Sequence, residues 1–77
     1  MCGVLGLLSS EPAGPRLIEG LIALQHRGQD SAGILTSDTT FHLKKGNGLV
    51  ASVFNEKNLA RLTGNSGIGH VRYPTIG

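Results

Sequence analysis

The chain has 77 residues, one Cys, no Trp, and seven Lys and Arg against five Asp and Glu. That suffices for one small domain or for part of a larger one, since a compact chain of this size buries only about 60–65% of its unfolded surface. The formal charge of +2 is scattered over Arg16, Arg27, Lys44, Lys45, Lys57, Arg61 and Arg72, without a basic stripe or interleaved aromatics, which argues against a nucleic-acid partner. A lone cysteine closes no internal disulfide, as in a reducing compartment. No apolar run nears the ~20 residues of a membrane span. "VLGLL" lacks the length and the basic leader of a signal peptide. A cytoplasmic chain is expected, with no membrane partner.

"CGVLGLL" is short, apolar and glycine-interrupted, and reads as a buried strand. "SSEPAGP" reads as a loop, with Pro15 as the first helical residue. From Pro15 to His26, Leu17, Ile18, Leu21, Ile22 and Leu24 recur at near-helical spacing, so an amphipathic helix on a sheet is predicted despite Gly20. Gly28 reads as its C-terminal cap, with His26 and Arg27 near the negative dipole end. "SAGILTS" and "FHLKKG" read as a hairpin about "SDTT", with Phe41 and Leu43 on the buried face and His42 toward solvent.

"NGLVASVFNEKNLARLTGN" reads as short helical turns, Leu49, Val50, Val53 and Phe54 lining one side and Leu59 and Leu62 another. "SGIGHVRYPTIG" reads as a glycine-spaced strand closing on a Tyr-Pro turn. The order implies an α+β layered fold. The last strand has no helix or polar cap after it, and an exposed strand edge invites aggregation. The chain therefore reads as the front of a longer domain.

Three clusters bear chemistry. Aminopeptidase removes Met1 when a small residue follows, which leaves Cys2 with both a thiol and a free α-amino group. An ordinary thiol is only slightly ionised at neutral pH. An α-amino group is partly neutral there and can take the thiol proton. The bland alternative is an inert packing cysteine. "QHRGQDSAG" places Arg27, Gly28, Gln29 and Asp30 at a helix-to-strand junction, where sites are often built. Asp30 can pair with Arg27 or cap the turn; equally, Gly28 can merely end the helix and Arg27 be solvated. In "GHVRYPT", the Arg72 fork suits a small carboxylate and Thr75 can add a hydroxyl. The alternative for Arg72 is a surface ion pair.

His26, His42 and His70 have no metal-ligand spacing with Cys2, and His70 reads as a satisfied structural histidine. "GNG" at 46–48 lacks the Gly-Lys-Ser/Thr of a phosphate loop.

Together "MCGVLGL", "LQHRGQDSAG" and "GHVRYPT" resemble the glutaminase domain of the class-II glutamine amidotransferases, which are N-terminal nucleophile hydrolases. The wording is most similar to the branch that passes ammonia to phosphoribosyl pyrophosphate. The fructose-6-phosphate branch typically has a Tyr before its Arg-Gly and a Trp after the later arginine. The resemblance implies the N-terminal part of a four-layer αββα sandwich, with residues 2–77 a partial type-2 glutaminase domain and the phosphoribosyltransferase domain absent.

It also implies roles. Cys2 would attack the glutamine side-chain amide, with its own amino group as base. Arg72 would bind the substrate α-carboxylate, with Thr75 beside it. Arg27 and Gly28 would support the nucleophile's end, and Tyr73 would stand at the mouth of the site as a gate. The family's oxyanion Asn-Gly and a later Asp for the substrate amino group are not found before Gly77, so the fragment alone is expected to be inactive. Magnesium is expected for the absent domain, none within this chain, and the parent is expected to be a homo-oligomer. The alternatives are a truncated partner-binding module without catalysis and another class-II amidotransferase; a redox thiol protein would need a resolving cysteine.

Overall fold

The structure is a computed structural model that describes residues 2–25 and 29–73. It contains β1 (Cys2–Leu8), α1 (Ala13–Leu24), β2 (Ser31–Ser37), β3 (Phe41–Asn47), α2 (Val50–Val53), α3 (Glu56–Arg61) and β4 (Ser66–Arg72). The strands form one antiparallel sheet in the order β1-β4-β2-β3. The α+β order and the hairpin read from the sequence are both present.

The last strand is not unprotected. β4 lies between β1 and β2 and is paired along its length on both sides. Chain order hid this, because the strand that arrives last fills the gap left between the first two.

α1 begins two residues earlier than Pro15. Pro12 is the N-cap, and the N–H of Ala13 donates to the carbonyl of Gly64 at 2.9 Å, giving one of the orphan donors of the first turn a partner. The helix stops after Leu24 because Gln25 turns extended (φ −70°, ψ 136°). The cap assigned to Gly28 and the extension to His26 lie outside the described residues.

Leu17 and Leu21, one turn apart, are fully buried on the sheet-facing side of α1. They rest on glycines of β4: a Cβ added at Gly67 would stand 2.9 Å from Leu17 Cδ1, and one at Gly69 3.1 Å from Leu21. The glycine spacing of "SGIGH" thus lets the helix approach the sheet. Ala32, Ile34, Val50, Val53, Phe54, Leu62 and Val71 complete the core, and each large aliphatic side chain so buried contributes about 1.5–3 kcal/mol.

Among the described residues no layer covers the other face of the sheet. Val4, Leu8, Phe41, Leu43 and Ile68 are exposed on it, Leu8 to 88% and Phe41 to 73%. This reverses the face read for β3. Its alternation is real, but Lys44 and His42 pair with buried Ile34 and Thr36 on the helix side, while Phe41 and Leu43 point outward. An apolar stripe marks a covered face only when something covers it. Leu49 is likewise exposed, whereas Val50, Val53, Phe54 and Leu62 are buried as one group.

His42, half-buried rather than solvent-facing, belongs to a polar staple at the far end of the sheet. The Thr63 hydroxyl donates to Asp38 Oδ2 at 2.7 Å, the Thr40 N–H donates to Oδ1 at 3.0 Å, and His42 Nε2 lies 3.1 Å from both carboxylate oxygens. These bonds, the one from Thr63 first, hold the Asp38 carboxyl well below the usual carboxylate range. A carboxyl depressed in the folded state stabilises above its unfolded pKa and loses that contribution as pH falls through the folded value. Stability should therefore decline from about pH 4 downward. Urea midpoints measured against pH should fall less steeply over that acid range in Thr63→Val; equal slopes would remove the staple from the account.

Candidate active site

β1 leads away from Cys2, and α1 returns the chain to the same end of the sheet. β2 starts there, and β3 and β4 finish there. Five segments therefore meet at one end. On the open face, register aligns Cys2, Arg72, Ser31 and Asn47 in a single cross-strand row. The next row is Val4, His70, Gly33 and Lys45, and the face turns apolar only beyond it.

Cys2 is exposed and directly opposite Arg72. Opposed residues of antiparallel strands have Cα atoms about 4.5–5.5 Å apart, so Cys2 and Arg72 leave the backbone side by side on the same face. Arg72 Nη1 donates to Asp30 Oδ2 at 3.3 Å, and the Asp30 N–H donates to the Arg72 carbonyl at 2.9 Å. Asp30 thus meets Arg72, a partner the sequence did not suggest, and the ion pair raised as the alternative for Arg72 exists. It occupies only part of a five-donor group. The remaining donors can bind an anion on the open face, in the row that holds Cys2.

Gln29, only 4% exposed, donates through Nε2 to the carbonyls of Ser31 (2.8 Å) and Gly48 (2.7 Å). Gly48 in turn donates its N–H to the Asp30 carbonyl at 2.7 Å, and the Val50 N–H donates to Gln25 Oε1 at 3.2 Å. Gln25 and Gln29, the residues flanking 26–28, are both fastened to the segment that follows β3.

Tyr73 packs against the core and donates its hydroxyl to the Leu24 carbonyl at the end of α1. His70 is exposed on the open face, one row from Cys2, rather than buried as a structural histidine. The site positions Arg27, Gly28 and Thr75 lie outside the described residues. Sequence reasoning missed Ser31 and Asn47 as members of the Cys2 row. Both lie at the ends of strands, but only strand register puts them in one row with Cys2 and Arg72. Among the described residues no three of His, Cys, Asp or Glu group as metal ligands would. No helix is long and apolar enough to cross a membrane among them either.

No family model matches the chain. It is 53% identical over 79 residues to the amidophosphoribosyltransferase of Pasteurella multocida, and 52% identical over 79 residues to that of Escherichia coli. This segment is homologous to the N-terminal region of amidophosphoribosyltransferases. The relationship extends to eukaryotes, with 51% identity over 82 residues to the amidophosphoribosyltransferase of Schizosaccharomyces pombe. All of this chain is matched, but it spans only about 16% of the length of the first two relatives.

The fold agrees. A solved structure described as the allosteric regulatory enzyme of purine biosynthesis superposes with a TM-score of 0.88 at 41% identity, over 97% of this chain and 16% of its own. The glutamine phosphoribosylpyrophosphate amidotransferase of B. subtilis, complexed with ADP and GMP, gives 0.86 at 40% identity, over 99% of this chain and 17% of its own. The expected fold class, the front part of an N-terminal nucleophile hydrolase sandwich, is borne out, and one helical layer on one sheet is described here.

Proposed function

We propose that this chain is the nucleophile-bearing part of the glutaminase domain of an amidophosphoribosyltransferase. The observation that carries the reading is the cross-strand pairing of Cys2 with Arg72 on the open face, within a chain half identical to those enzymes. Once Met1 is removed, the α-amino group of Cys2 accepts the thiol proton. The thiolate attacks the side-chain amide carbon of glutamine. Collapse of the tetrahedral species breaks the C–N bond, and the same amino group passes the proton to departing ammonia. Water then hydrolyses the γ-glutamyl thioester, releasing glutamate and restoring the thiol.

Arg72 binds the substrate α-carboxylate with Thr75 beside it, and Arg27 and Gly28 support the nucleophile's end of the pocket. Tyr73 gates the mouth, for which its hydroxyl must first leave Leu24. The oxyanion donors, an Asn-Gly pair, and an Asp for the substrate amino group are to be sought past residue 77. A second sheet of the sandwich would cover the apolar rows of the open face. In the complete enzyme the ammonia reaches phosphoribosyl pyrophosphate, bound with magnesium in a phosphoribosyltransferase domain, to form 5-phosphoribosylamine for purine synthesis. The complete protein is a cytoplasmic homo-oligomer.

The test is labelling with diazo-oxo-norleucine, a glutamine-mimicking electrophile, followed by peptide mapping of the gene's full-length product. Label on Cys2 that disappears when Met1 is retained is the expected result. Label elsewhere, or equal label with Met1 in place, overturns the reading.

A further inference from the structure

We propose that Asp30, held by the buried amide of Gln29, is the positioning residue that sets the Arg72 guanidinium for the glutamine carboxylate; this rests on the glutaminase reading above. Asp30 is fixed at three atoms. Its N–H donates to the Arg72 carbonyl at 2.9 Å, its carbonyl accepts the Gly48 N–H at 2.7 Å, and its Oδ2 accepts from Arg72 Nη1 at 3.3 Å. Main chain and side chain of one residue therefore grip main chain and side chain of the other.

Gln29 secures that grip from beneath. Its amide spans the carbonyls of Ser31 and Gly48, the first a residue past Asp30 and the second on the turn that Asp30 contacts. The chain on both sides of the carboxylate is thus held to the end of β3. The Gln29 side chain is buried and both of its N–H groups close on backbone, so its donors serve geometry. Asp30 Oδ1 is also buried, without a hydrogen-bond partner among the described residues. Leaving such an oxygen unmade costs stability, and a carboxylate that served only the turn would not need to incur it.

The physical consequence is orientation. An unrestrained arginine side chain spreads over many rotamers, and ordering it on binding costs affinity. With one nitrogen held by Asp30, the rest of the planar fork is presented at the Cys2 row before substrate arrives. A bidentate carboxylate contact gains most from such preorganisation. The Asp30 carboxylate bonds to Arg72, so its loss should act through that arginine on binding and leave the thiol alone.

The experiment compares Asp30→Ala, Asp30→Asn and Gln29→Met in the gene's full-length product, reading glutamine KM and kcat separately and alkylation of Cys2 by iodoacetamide. The KM of Asp30→Ala should rise about tenfold or more with kcat within about threefold, the pattern of lost ground-state and transition-state binding alike. Asp30→Asn, whose amide oxygen still accepts from Arg72, should fall between it and the unsubstituted protein. Gln29→Met keeps the shape without the donors and should move KM in the same direction. Iodoacetamide, which has no carboxylate to position, should react with Cys2 at the same rate throughout. An unchanged KM in Asp30→Ala overturns the proposal, as does a parallel fall in kcat and alkylation, which would mark general damage. A protein inert toward glutamine without any substitution overturns the glutaminase reading itself, a result distinct from an active protein indifferent to Asp30.

Discussion

Cys2→Ala in the full-length protein is expected to lower glutamine hydrolysis by at least about 10³-fold, the scale on which removing a covalent nucleophile acts. Alanine still permits removal of Met1, so the α-amino group remains while the sulfur is gone. No thioester can form, and the amine alone has no proton to relay. The fold should not notice, because Cys2 is exposed on an edge strand and outside the core cluster. Glutamate release would read the loss, and unchanged circular dichroism would separate it from unfolding. Synthesis of phosphoribosylamine from added ammonia should persist, since the substitution touches only the step that makes ammonia. Retained glutaminase activity would transfer the nucleophile's role to another residue.

The parts of this architecture that were legible in the sequence are those with a local cause. Leu17 and Leu21 one helical turn apart, the turn signal "SDTT", and a thiol next to a removable methionine each state their reason within a few residues. What escaped depends on partners far along the chain. β4 is central because β1 and β2 both pair with it, and no spacing within "SGIGHVR" records that. Phe41 and Leu43 were read as buried because apolar alternation identifies a two-sided strand without saying which side is covered.

The site divides along the same line. Cys2 and Arg72 could be singled out by chemistry, but their adjacency is a matter of register. The sequence offers Asp30 only Arg27 or a turn as partner; its contact with Arg72 spans 42 positions. Gln29 drew no separate attention because a glutamine carries no charge and no usual catalytic role. Its burial, which makes it informative, appears only in three dimensions.

Gly64→Ala is expected to destabilise the fold by about 3 kcal/mol or more, since it combines a disfavoured backbone with a main-chain collision. Gly64 has φ +112°, a region that side chains other than glycine rarely enter, and an added Cβ would lie 2.2 Å from the Ser37 carbonyl oxygen and 2.5 Å from its carbon. Those atoms belong to the end of β2 and cannot rotate aside. Either Gly64 retreats or the hairpin does. Retreat stretches the bond from the Ala13 N–H to the Gly64 carbonyl and, one residue on, that from the Ser9 N–H to the Asn65 carbonyl. Movement of the hairpin instead opens the staple of Thr63 on Asp38. A folded domain has a total stability of only about 5–15 kcal/mol, so a loss of this size should lower the unfolding midpoint by several degrees. Gly6→Ala is the control, for an added Cβ there meets nothing nearer than Ile68 at 4.0 Å, and a change within about 0.5 kcal/mol is expected. Urea denaturation of both variants decides the matter: equal midpoints would mean that the tight contact between the α3–β4 connection and the end of β2 does not hold this end of the sheet together.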